Sequence, residues 1–442
     1  MATLNEIDEA RLAAPSGAVA DPEPARPAPG VPRRADGERP HAAIIVENMT
    51  VPADRRVWQQ ALALRDDGWR VSVVTPKAGE FRAPYEVREG VTILRHPLPI
   101  EARGLAAYAA EYATALACET AALFKLGLKD VDVVQICNPP DFLFLPALVA
   151  KAFGGARIVF DHHDLTPELL ADKIAGRGGP GASLARRVLP PIANWAERRT
   201  FRAADQVIST NGAFRQIAID KGGKAPNDVT VVYSGPDLDK VGDVAPDPDL
   251  RKGAKTVFLW VGVMGSQDGL DLMLEAVDAL RDLPGGDDIR VLVAGDGPER
   301  AATEKLAAEL DLLDVVDFLG FVTGERLQRA FASADIGIGS DPKNPFNDRL
   351  AMNKVMEYMA WRLPIAMFDL AECRKIAGDA ALYAANNDPL ALAANLSNLA
   401  ASPAARAAKG ALGRQRLEAE FCWARQKDAY LNVCRRLLPD VD

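Results

Sequence analysis

The sequence predicts an α/β protein built from two doubly wound parallel sheets. Short apolar runs alternate with helical patterns along the chain, and this alternation occurs twice. A polar segment with prolines, glycines and no periodicity, residues 237–255, separates the two series. Continuous apolar runs between helices are typical of parallel strands covered on both faces. Repeated β-α-β units predict open, doubly wound sheets, so we expect two Rossmann-like domains facing a cleft and joined by a linker.

Residues 41–236 are expected to form the first domain. The apolar run His41–Val46 predicts a buried strand, and the following residues 55–66 predict a helix that ends at Gly68. Further strands are predicted at residues 71–75, 91–94, 131–136, 157–160, 206–209 and 229–232, and helices at 103–127, from 142 onward and at about 183–203.

Residues 256–405 are expected to form the second domain, followed by a C-terminal helix at 406–442 that packs back across both domains. Residues 1–40 are rich in proline and poor in large apolar side chains, which predicts a disordered tail. The strands of the second domain are predicted at 256–261, 290–294, 315–319, 335–339, 364–368 and 381–383, and its helices at 268–282, 299–310, 324–333 and 388–402.

Composition excludes several classes of function. The 442 residues suit two domains of ordinary size, and the net charge of −9 argues against a general nucleic-acid binder. The five cysteines are scattered, without a C-x-x-C pair, which favours reduced thiols and a cytoplasmic protein. The sequence contains no run of eighteen apolar residues, so we expect no membrane span. The acidic N-terminus does not resemble a signal peptide.

The most informative stretch, residues 340–367, predicts a strand end, a polar loop, a helix and a second strand. Asn347 or Asp348 is expected to cap this helix. Four apolar side chains are expected to form its buried side: Met352, Val355, Met356 and Met359.

Asn353, Lys354 and Glu357 are expected on the other side of this helix, at neighbouring positions. Backbone N–H groups at a helix start and a lysine suit phosphate groups, and a carboxylate one turn later suits the hydroxyls of a ribose. The stretch therefore favours a phosphorylated ligand bearing a sugar diol. An amphipathic helix with a solvated charged face is the alternative.

Glycines follow two predicted strands of the second domain. Gly262, Gly265 and Gly269 lie in one loop, and Gly295 and Gly297 in the next. They suit close approach of backbone N–H groups to phosphate, with tight turns as the alternative.

The motif D-H-H-D at 161–164 follows a strand of the first domain. A metal site there is improbable, because the sequence offers no third loop with His or Cys. Two D-x-D segments, residues 237–239 and 247–249, lie in the linker and are expected to be solvated turns.

In their order along the chain, these loops resemble the family-four glycosyltransferases, which are retaining enzymes of the GT-B fold. The resemblance covers residues 41–440 and is strongest to a bacterial branch that builds surface polysaccharides. Six motifs carry it: D-R-R-V-W-Q-Q-A-L-A-L at 54–64, D-H-H-D-L-T-P-E-L at 161–169, V-G-V-M-G-S-Q-D-G at 261–269, A-G-D-G-P at 294–298, V-D-F-L-G-F-V at 316–322 and M-N-K-V-M-E-Y-M-A at 352–360.

The resemblance implies a role for Glu357, which matches the second glutamate of the family's Glu-x7-Glu motif and would hold the donor ribose. Arg349 occupies the position of the first glutamate, eight residues earlier, so Asp348 or Asn344 is the expected substitute for its contact with the donor sugar.

The family's diphosphate-binding arginine and lysine correspond to Val263 and Asp268. The positive charge is therefore expected from Lys354 and Arg349. Gly265, Gly295, Gly297 and Asn353 complete the implied donor site.

His163 matches a histidine that faces the donor sugar in relatives, and the adjacent His162 is the other candidate. One of the two is expected to point into the cleft and the other into the fold. With Lys354 and Glu357, they form the implied catalytic group.

Loops of the first domain are expected to bind the acceptor through Asp54, Arg55, Asn138 and Asp141. Arg55 and Arg56 at a helix start oppose the helix dipole, which hints at a role beyond folding. No cofactor or metal is implied, and the donor is a nucleotide diphosphate sugar.

A basic region, residues 173–202, combines arginines and lysines with an apolar helix face. It predicts peripheral contact with an anionic membrane, with a solvated surface helix as the alternative.

Together these features predict a metal-independent, retaining glycosyltransferase at the cytoplasmic face of a membrane. It would move a hexosyl or N-acetylhexosaminyl unit to a lipid-linked or glycan acceptor in exopolysaccharide, capsule or O-antigen synthesis. A nucleotide-sugar epimerase of the same fold and a non-catalytic relative that binds glycan or nucleotide are the alternatives.

Overall fold

The computed structural model describes residues 37–97, 105–175, 182–242 and 244–438. The chain forms two compact units. Unit 1 comprises the chain up to Val232 together with Lys427 onward, and unit 2 comprises Tyr233–Gln426. Most of the tail predicted at 1–40 lies outside the described residues, as does Arg177 of the basic region.

Unit 1 is an α/β sheet covered by helices. Its strands are β1 (His41–Val46), β2 (Arg70–Pro76), β3 (Tyr85–Arg88), β4 (Val91–His96), β5 (Val133–Cys137), β6 (Arg157–His162), β7 (Gln206–Ser209) and β8 (Val229–Val231). Its helices are α1 (Arg55–Asp66), α2 (Leu105–Leu126), α3 (Phe144–Gly154), α4 (Thr166–Ala175), α5 (Ala182–Ala203) and α6 (Gly212–Asp220).

The strand order of unit 1 is β3-β4-β2-β1-β5-β6-β7-β8, with every pair parallel except β3 with β4. β1 and β5 are buried along their whole length, which explains their continuous apolar sequences. The order reverses between β1 and β5, because the chain builds outward from β1 in both directions. Ligands of such sheets bind beyond the carboxyl ends of the strands at this switch point.

Unit 2 contains the strands β9 (Thr256–Val263), β10 (Ile289–Asp296), β11 (Val316–Gly320), β12 (Ile336–Gly339), β13 (Ile365–Phe368) and β14 (Ala381–Ala384). Its helices are α7 (Pro248–Arg251), α8 (Leu270–Leu280), α9 (Arg300–Glu309), α10 (Gly324–Ser333), α11 (Asn353–Ala360), α12 (Ala371–Ala377), α13 (Pro389–Ala401) and α14 (Pro403–Arg416). The last helix, α15 (Trp423–Arg435), begins in unit 2 and ends in unit 1.

The sheet of unit 2 is parallel throughout, in the order β11-β10-β9-β12-β13-β14. Successive side chains of β9 enter different cores: Phe258 and Trp260 pack on one side of the sheet, and Val257 and Leu259 on the other. This alternation follows from the two-residue period of a strand. Here the switch point lies between β9 and β12.

The predicted fold class is confirmed: the protein has two doubly wound, Rossmann-like sheets. Three elements were not predicted from the sequence: β3, α4 and α12. In the segment 237–255, short helical turns form at Leu238–Lys240 and Pro248–Arg251. Asp237 and Asp247 accept hydrogen bonds from the backbone N–H groups two residues later, so both D-x-D segments are turns, as predicted.

The predicted cap of α11 is wrong. The helix begins at Asn353, after Met352, and neither Asn347 nor Asp348 caps it. Asn347 is buried and instead donates two hydrogen bonds to loop carbonyls, while Asp348 accepts one from the Ala371 N–H. A separate single turn, Asn347–Arg349, lies between the loop and the helix.

No helix in the described part of the chain is both long and apolar enough to cross a bilayer.

Candidate functional site

The first candidate site lies at the switch point of unit 2, where the loops after β9 and β12 meet. The Trp260 indole donates to Ser340 Oγ, which in turn donates to the carbonyl of Asp268. Gly269 adopts a φ of +61°, and a Cβ there would lie 2.2 Å from the Ser340 carbonyl oxygen. The glycine is therefore required for this close contact between the two loops.

Lys354, in the first turn of α11, is buried between two carboxylates at this point. Its Nζ lies 3.0 and 3.1 Å from the two carboxylate oxygens of Asp341 and 3.6 Å from Asp268 Oδ1. It also lies 4.7 Å from the centre of the Trp260 ring. Burial opposes the charged form of Lys354, but the two carboxylates outweigh it and raise its pKa.

Asp268 has a pKa above its usual range. Burial, together with the charge of Asp341, raises its pKa to about 6, although Lys354 opposes this shift. With both acids ionised, the three side chains carry a net charge of −1. The expectation that Lys354 offers a spare positive charge is therefore wrong for the structure as it stands, because its charge is already balanced.

The remaining predicted donor residues are arranged differently around this site. Val355, Met356 and Met359 are buried as expected, but Lys354 is buried with them, whereas Asn353 and Arg349 are exposed. Glu357 is half-buried, one turn after Lys354.

The glycines of the neighbouring loops have clear packing roles. A Cβ on Gly295 would lie 1.9 Å from the Gly262 carbonyl oxygen, and one on Gly297 would lie 2.5 Å from that of Met264. Gly265 N–H donates to the Asp268 carboxylate. Gly295 and Gly297 therefore allow the loops after β9 and β10 to pack together.

The second candidate site lies in unit 1 around Asp161, near the end of β6. This fully buried carboxylate accepts hydrogen bonds from Arg56 at 2.7 and 3.1 Å and from Gln60 Nε2 at 2.6 Å. Burial opposes ionisation, but Arg56 and then His163 outweigh it and hold the pKa of Asp161 well below its usual range. Asp161 is thus a fixed negative charge with its counter-charge in place.

Arg56 is positioned by more than Asp161, because its guanidinium also donates to the Val232 carbonyl oxygen at 2.9 Å. A chain of hydrogen bonds extends from the other side of the carboxylate: Tyr430 O–H donates to Gln135, and Gln135 donates to Gln60. Sequence reasoning noted Arg56 but missed this network, whose members are far apart in the chain.

The two adjacent histidines differ sharply in surroundings. His162 is fully buried, with its ring centre 4.8 to 5.3 Å from those of Phe160, Phe201 and Phe214. Burial lowers its pKa to about 3, so it is neutral. A catalytic role for His162 is therefore wrong, because its ring is enclosed in the core.

His163 has a partly exposed ring beside the Asp161 network. Its Nε2 lies 2.8 Å from Asp161 Oδ2 and 3.1 Å from Arg56 Nε. Because the carboxylate can only accept, a proton on Nε2 is required for the shorter contact. Of the two histidines, His163 is the one that keeps its ring at the surface.

The predicted acceptor residues are mostly structural. Asp54 caps α1 by accepting from the Val57 N–H, and Arg55 is exposed. Buried Asn138 ties the loops after β5 and β6 together: its Oδ1 accepts from His163 N–H, and its Nδ2 donates to Asp141. Burial, and then the charge of Glu197, raises the pKa of Asp141 to about 8. Direct contact of Asn138 and Asp141 with an acceptor is contradicted by their burial.

Cys137, Asp161 and His163 bring ligand-type atoms within 4.8 Å of one another. They do not fit a metal ion well. The Arg56 guanidinium already occupies the Asp161 carboxylate, and burial raises the pKa of the Cys137 thiol, which disfavours the thiolate that a metal requires.

The chain has two Rossmann-like units, and in each the candidate site residues lie near the carboxyl ends of the strands. This arrangement is that of the GT-B class of proteins. Solved structures with this fold are similar over nearly the whole chain. Sucrose-phosphate synthase from Thermosynechococcus elongatus has a TM-score of 0.71 and 17% identity, covering 90% of this chain and 99% of that one. HepE from Anabaena, solved in complex with UDP, has a TM-score of 0.62 and 13% identity, covering 90% and 99%.

Residues 53–235 match the family described as "Glycosyl transferase 4-like domain", and residues 255–402 match "Glycosyl transferases group 1". The chain therefore belongs to the family-four glycosyltransferases of the GT-B fold. Alpha-D-kanosaminyltransferase from Streptomyces kanamyceticus is 29% identical over 203 residues, which are 45% of this chain and 51% of that protein. The alignments span about half the length of the curated relatives that the chain matches.

Proposed function

We propose that this protein transfers a sugar from a nucleotide diphosphate sugar to a glycan or lipid-linked acceptor. The observation that carries the proposal is the position of Lys354 and Glu357, one turn apart at the start of α11, beside the switch point of the unit 2 sheet. Unit 2 would bind the donor, with Glu357 accepting hydrogen bonds from the ribose hydroxyls. Unit 1 would bind the acceptor.

The charges around Lys354 require a rearrangement when the diphosphate binds. An uncompensated anion in a buried site is costly, so the phosphates need positive charge nearby. Protonation or displacement of Asp268 would leave Lys354 facing the diphosphate with one carboxylate fewer. Arg349, exposed in the turn before α11, would supply a second cation.

The proposed reaction retains the configuration of the sugar and needs no protein nucleophile. The departing phosphate would take the proton of the acceptor hydroxyl as the new glycosidic bond forms on the same face. The protein would then act by positioning the two substrates and by stabilising the negative charge of the leaving diphosphate. His163 would contact the donor sugar. We propose that no metal ion takes part.

Donor binding tests this proposal directly. Replacing Glu357 with Gln keeps the shape of the side chain but removes its charge, and hydrogen bonds to charged groups contribute roughly 1.5–3 kcal/mol each. Among UDP-, GDP- and dTDP-sugars, one is expected to bind in calorimetry, with or without EDTA, and Glu357→Gln should weaken it about tenfold or more. Glu309→Gln, an exposed position on α9, serves as the control. Unchanged binding in Glu357→Gln would remove this residue from the site.

We also propose that α5 docks unit 1 on an anionic membrane. Val188, Ile192 and Trp195 are exposed on this helix, and Trp195 is 50% exposed even though it packs against Phe144 of α3. Five exposed arginines accompany them: Arg186, Arg187, Arg198, Arg199 and Arg202.

The acidic residue closest to these arginines in sequence, Glu197, does not offset them at the surface. It is buried and paired with Lys221. Each basic residue near an anionic surface contributes about 1 kcal/mol, and the apolar side chains would enter the headgroup region.

Vesicle sedimentation tests the membrane proposal. The protein should bind vesicles containing phosphatidylglycerol more strongly than vesicles of phosphatidylcholine alone, and Arg198→Glu with Arg199→Glu should abolish most of that binding. Lys305→Glu, an exposed charge reversal in unit 2, is the control. Equal binding of the double variant and the unaltered protein would contradict the proposal.

A further inference from the structure

A cavity of about 610 Å³ lies at the amino edge of the unit 1 sheet, where three neighbouring parallel strands begin. Asp132 directly precedes β5, while Arg157 and Gln206 are the first residues of β6 and β7. Leu437 and Leu438, which follow α15, form another wall. We call this space the amino-edge cavity.

The amino-edge cavity is separate from both candidate sites. Arg157 begins β6 and His162 ends it, and a parallel strand rises about 3.3 Å per residue. The cavity therefore lies roughly 16 Å from the carboxyl end of β6. No member of the Asp161 network lines it, and the site around Lys354 belongs to unit 2. A ligand bound here would lie at the opposite edge of the sheet from the proposed acceptor.

The charge of the cavity lining is positive. Five charged residues, three basic and two acidic, line it: Lys129, Arg157, Arg436, Asp132 and Asp205. The Asp205 carboxylate is balanced by Lys151, whose Nζ lies 2.8 and 2.9 Å from its two oxygens. Oδ2 of Asp132 accepts a hydrogen bond from the His41 N–H. Three cations then remain against Asp132, a net charge of +2, which suits an anionic ligand.

The two arginines are open to such a ligand. The Arg157 side chain is 56% exposed, and its Nη1 lies 3.7 Å from Asp205 Oδ1, beyond hydrogen-bond distance. Arg436 is exposed, and its guanidinium has no ion pair within the described ranges. The carboxyl end of α3 opposes an anion by about half an elementary charge, which is less than the excess of positive charge. Because guanidinium groups bind phosphate oxygens through paired N–H groups, phosphate is the anion that two arginines suit best.

The size and walls of the cavity indicate a ligand larger than bare phosphate. Sites for small molecules in proteins have volumes of about 300–1,000 Å³, and this cavity lies within that range. Leu437 and Leu438 are half-buried, and Val131 is buried beside them, so part of the lining is uncharged and apolar. A phosphate group attached to a small uncharged body matches both parts of the lining.

We propose that the amino-edge cavity binds a small phosphate monoester of the sugar-phosphate class. Arg157 and Arg436 donate hydrogen bonds to its phosphate oxygens, and its uncharged body packs against Leu437 and Leu438. Arg157 belongs to β6 and Arg436 directly follows α15, so the ligand joins the end of this helix to the sheet. The inference does not depend on the proposed function.

A ligand in this cavity strengthens the attachment of α15 to the rest of unit 1. Tyr430 of this helix donates to Gln135 of β5, and Arg435 donates to Asp67. Through Gln135, the helix is connected to the hydrogen-bond network of Asp161. Binding at the amino edge therefore stabilises the helix that supports the network at the carboxyl edge.

Calorimetry with glucose 6-phosphate and with glucose tests the inference. The two probes differ only in the phosphate group, so the comparison isolates its contribution. Glucose 6-phosphate is expected to bind at least tenfold more tightly than glucose. Combining Arg157→Gln with Arg436→Gln should weaken its binding at least tenfold, because both cations are lost. Arg82→Gln, at an exposed position of the same unit, is the matched control and should bind like the unaltered protein.

Equal affinity for the two probes, or unchanged affinity in the double variant, would overturn the inference. The double variant is expected to fold, because both side chains are exposed, and its melting temperature without ligand verifies this. Hydrogen exchange of the α15 amides is a second measurement. Saturating glucose 6-phosphate should slow this exchange in the unaltered protein and not in the double variant. Exchange that does not respond in the unaltered protein would show that the ligand does not join α15 to the sheet.

Discussion

Unit 1 contains two groups of buried carboxylates at the same edge of one sheet, and their surroundings are opposite. Asp161 is held by Arg56 and Gln60, and its pKa lies well below the usual range. Glu47 and Glu119 have no lysine or arginine partner among the described residues, and burial raises the pKa of each. The fold therefore supplies a counter-charge for the first carboxylate and none for the second pair, so the same sheet edge holds one ionised and two neutral buried acids.

The site in unit 2 lies between these extremes. Lys354 is buried like Asp161 and fully paired, but it has one carboxylate more than its charge requires. Asp268 carries that excess, and its pKa of about 6 lies between those of Asp161 and Glu47. From Asp161 through Asp268 to Glu47, the buried carboxylates thus have progressively less positive charge beside them.

The largest effect is expected from breaking the complete pair. Arg56→Met would leave Asp161 buried and without its cation, a change that costs about 3–5 kcal/mol in other proteins. The free energy of unfolding, measured with urea at pH 7, should fall by that order. Arg55→Met, at the exposed neighbouring position, should change it by less than about 0.5 kcal/mol. Similar values for the two variants would mean that Asp161 does not depend on Arg56.

Replacing Glu47 is expected to increase the free energy of unfolding, by a smaller amount than the loss expected for Arg56→Met. Its folded pKa is about 8, raised from 4.5, so the folded state binds its proton more tightly than the unfolded state. The resulting stabilisation is complete below pH 4.5 and is lost as the pH rises through 8. Glu47→Gln should therefore stabilise the protein at pH 9 by about 2–4 kcal/mol, with little change near pH 5.

Urea unfolding at the two pH values measures this difference, with the exposed Glu89→Gln as control. If Glu47→Gln were less stable than the unaltered protein at pH 9, the carboxylate would have a partner that stabilises its charge.

The smallest effect is expected from replacing Asp268, and it concerns the affinity for the donor. Because its pKa is about 6, the ionised form predominates at pH 8, where it competes with a diphosphate for Lys354. Donor affinity should therefore decrease as the pH rises through 6. Asp268→Asn should bind the nucleotide sugar about tenfold more tightly than the unaltered protein at pH 8, or about 1.4 kcal/mol, and equally at pH 5.

Calorimetry at both pH values gives this comparison, and Asp271→Asn, exposed on α8, is the control. Weaker binding by Asp268→Asn at pH 8 would show that Asp268 helps to hold the donor.

The fold could be predicted closely because buried strands have a clear local signature. The boundaries of β1 and α1 agree with those predicted from the apolar run and from the helical pattern that ends at Gly68. β3 was missed because its sequence, Tyr85–Arg88, has two charged residues in four and lies at the sheet edge. α12 is a short helix of seven residues, too brief for a periodic pattern to identify.

The candidate sites could be predicted only in part. The loops were identified because strand ends are visible in the sequence, but the partners of each side chain depend on tertiary contacts. Lys354 was expected on a polar helix face, and nothing local indicates that Asp268 and Asp341 enclose it. His162 and His163 are adjacent in sequence, and only their packing distinguishes them. The sequence also did not indicate that Glu47, His96 and Glu119 are buried beside one another, because they lie in three separate parts of the chain.

The division of unit 1 into two chain segments affects how the protein is made. Tyr430 donates to Gln135, and Arg435 binds Asp67, so α15 supplies bonds to strands and loops synthesised far earlier. The ribosome must produce all of Tyr233–Gln426 before either side chain exists. At about 5–20 residues per second, the first segment spends roughly 10–40 seconds without these contacts. Unit 2 is continuous in sequence, so all of its residues are synthesised before the last residues of unit 1.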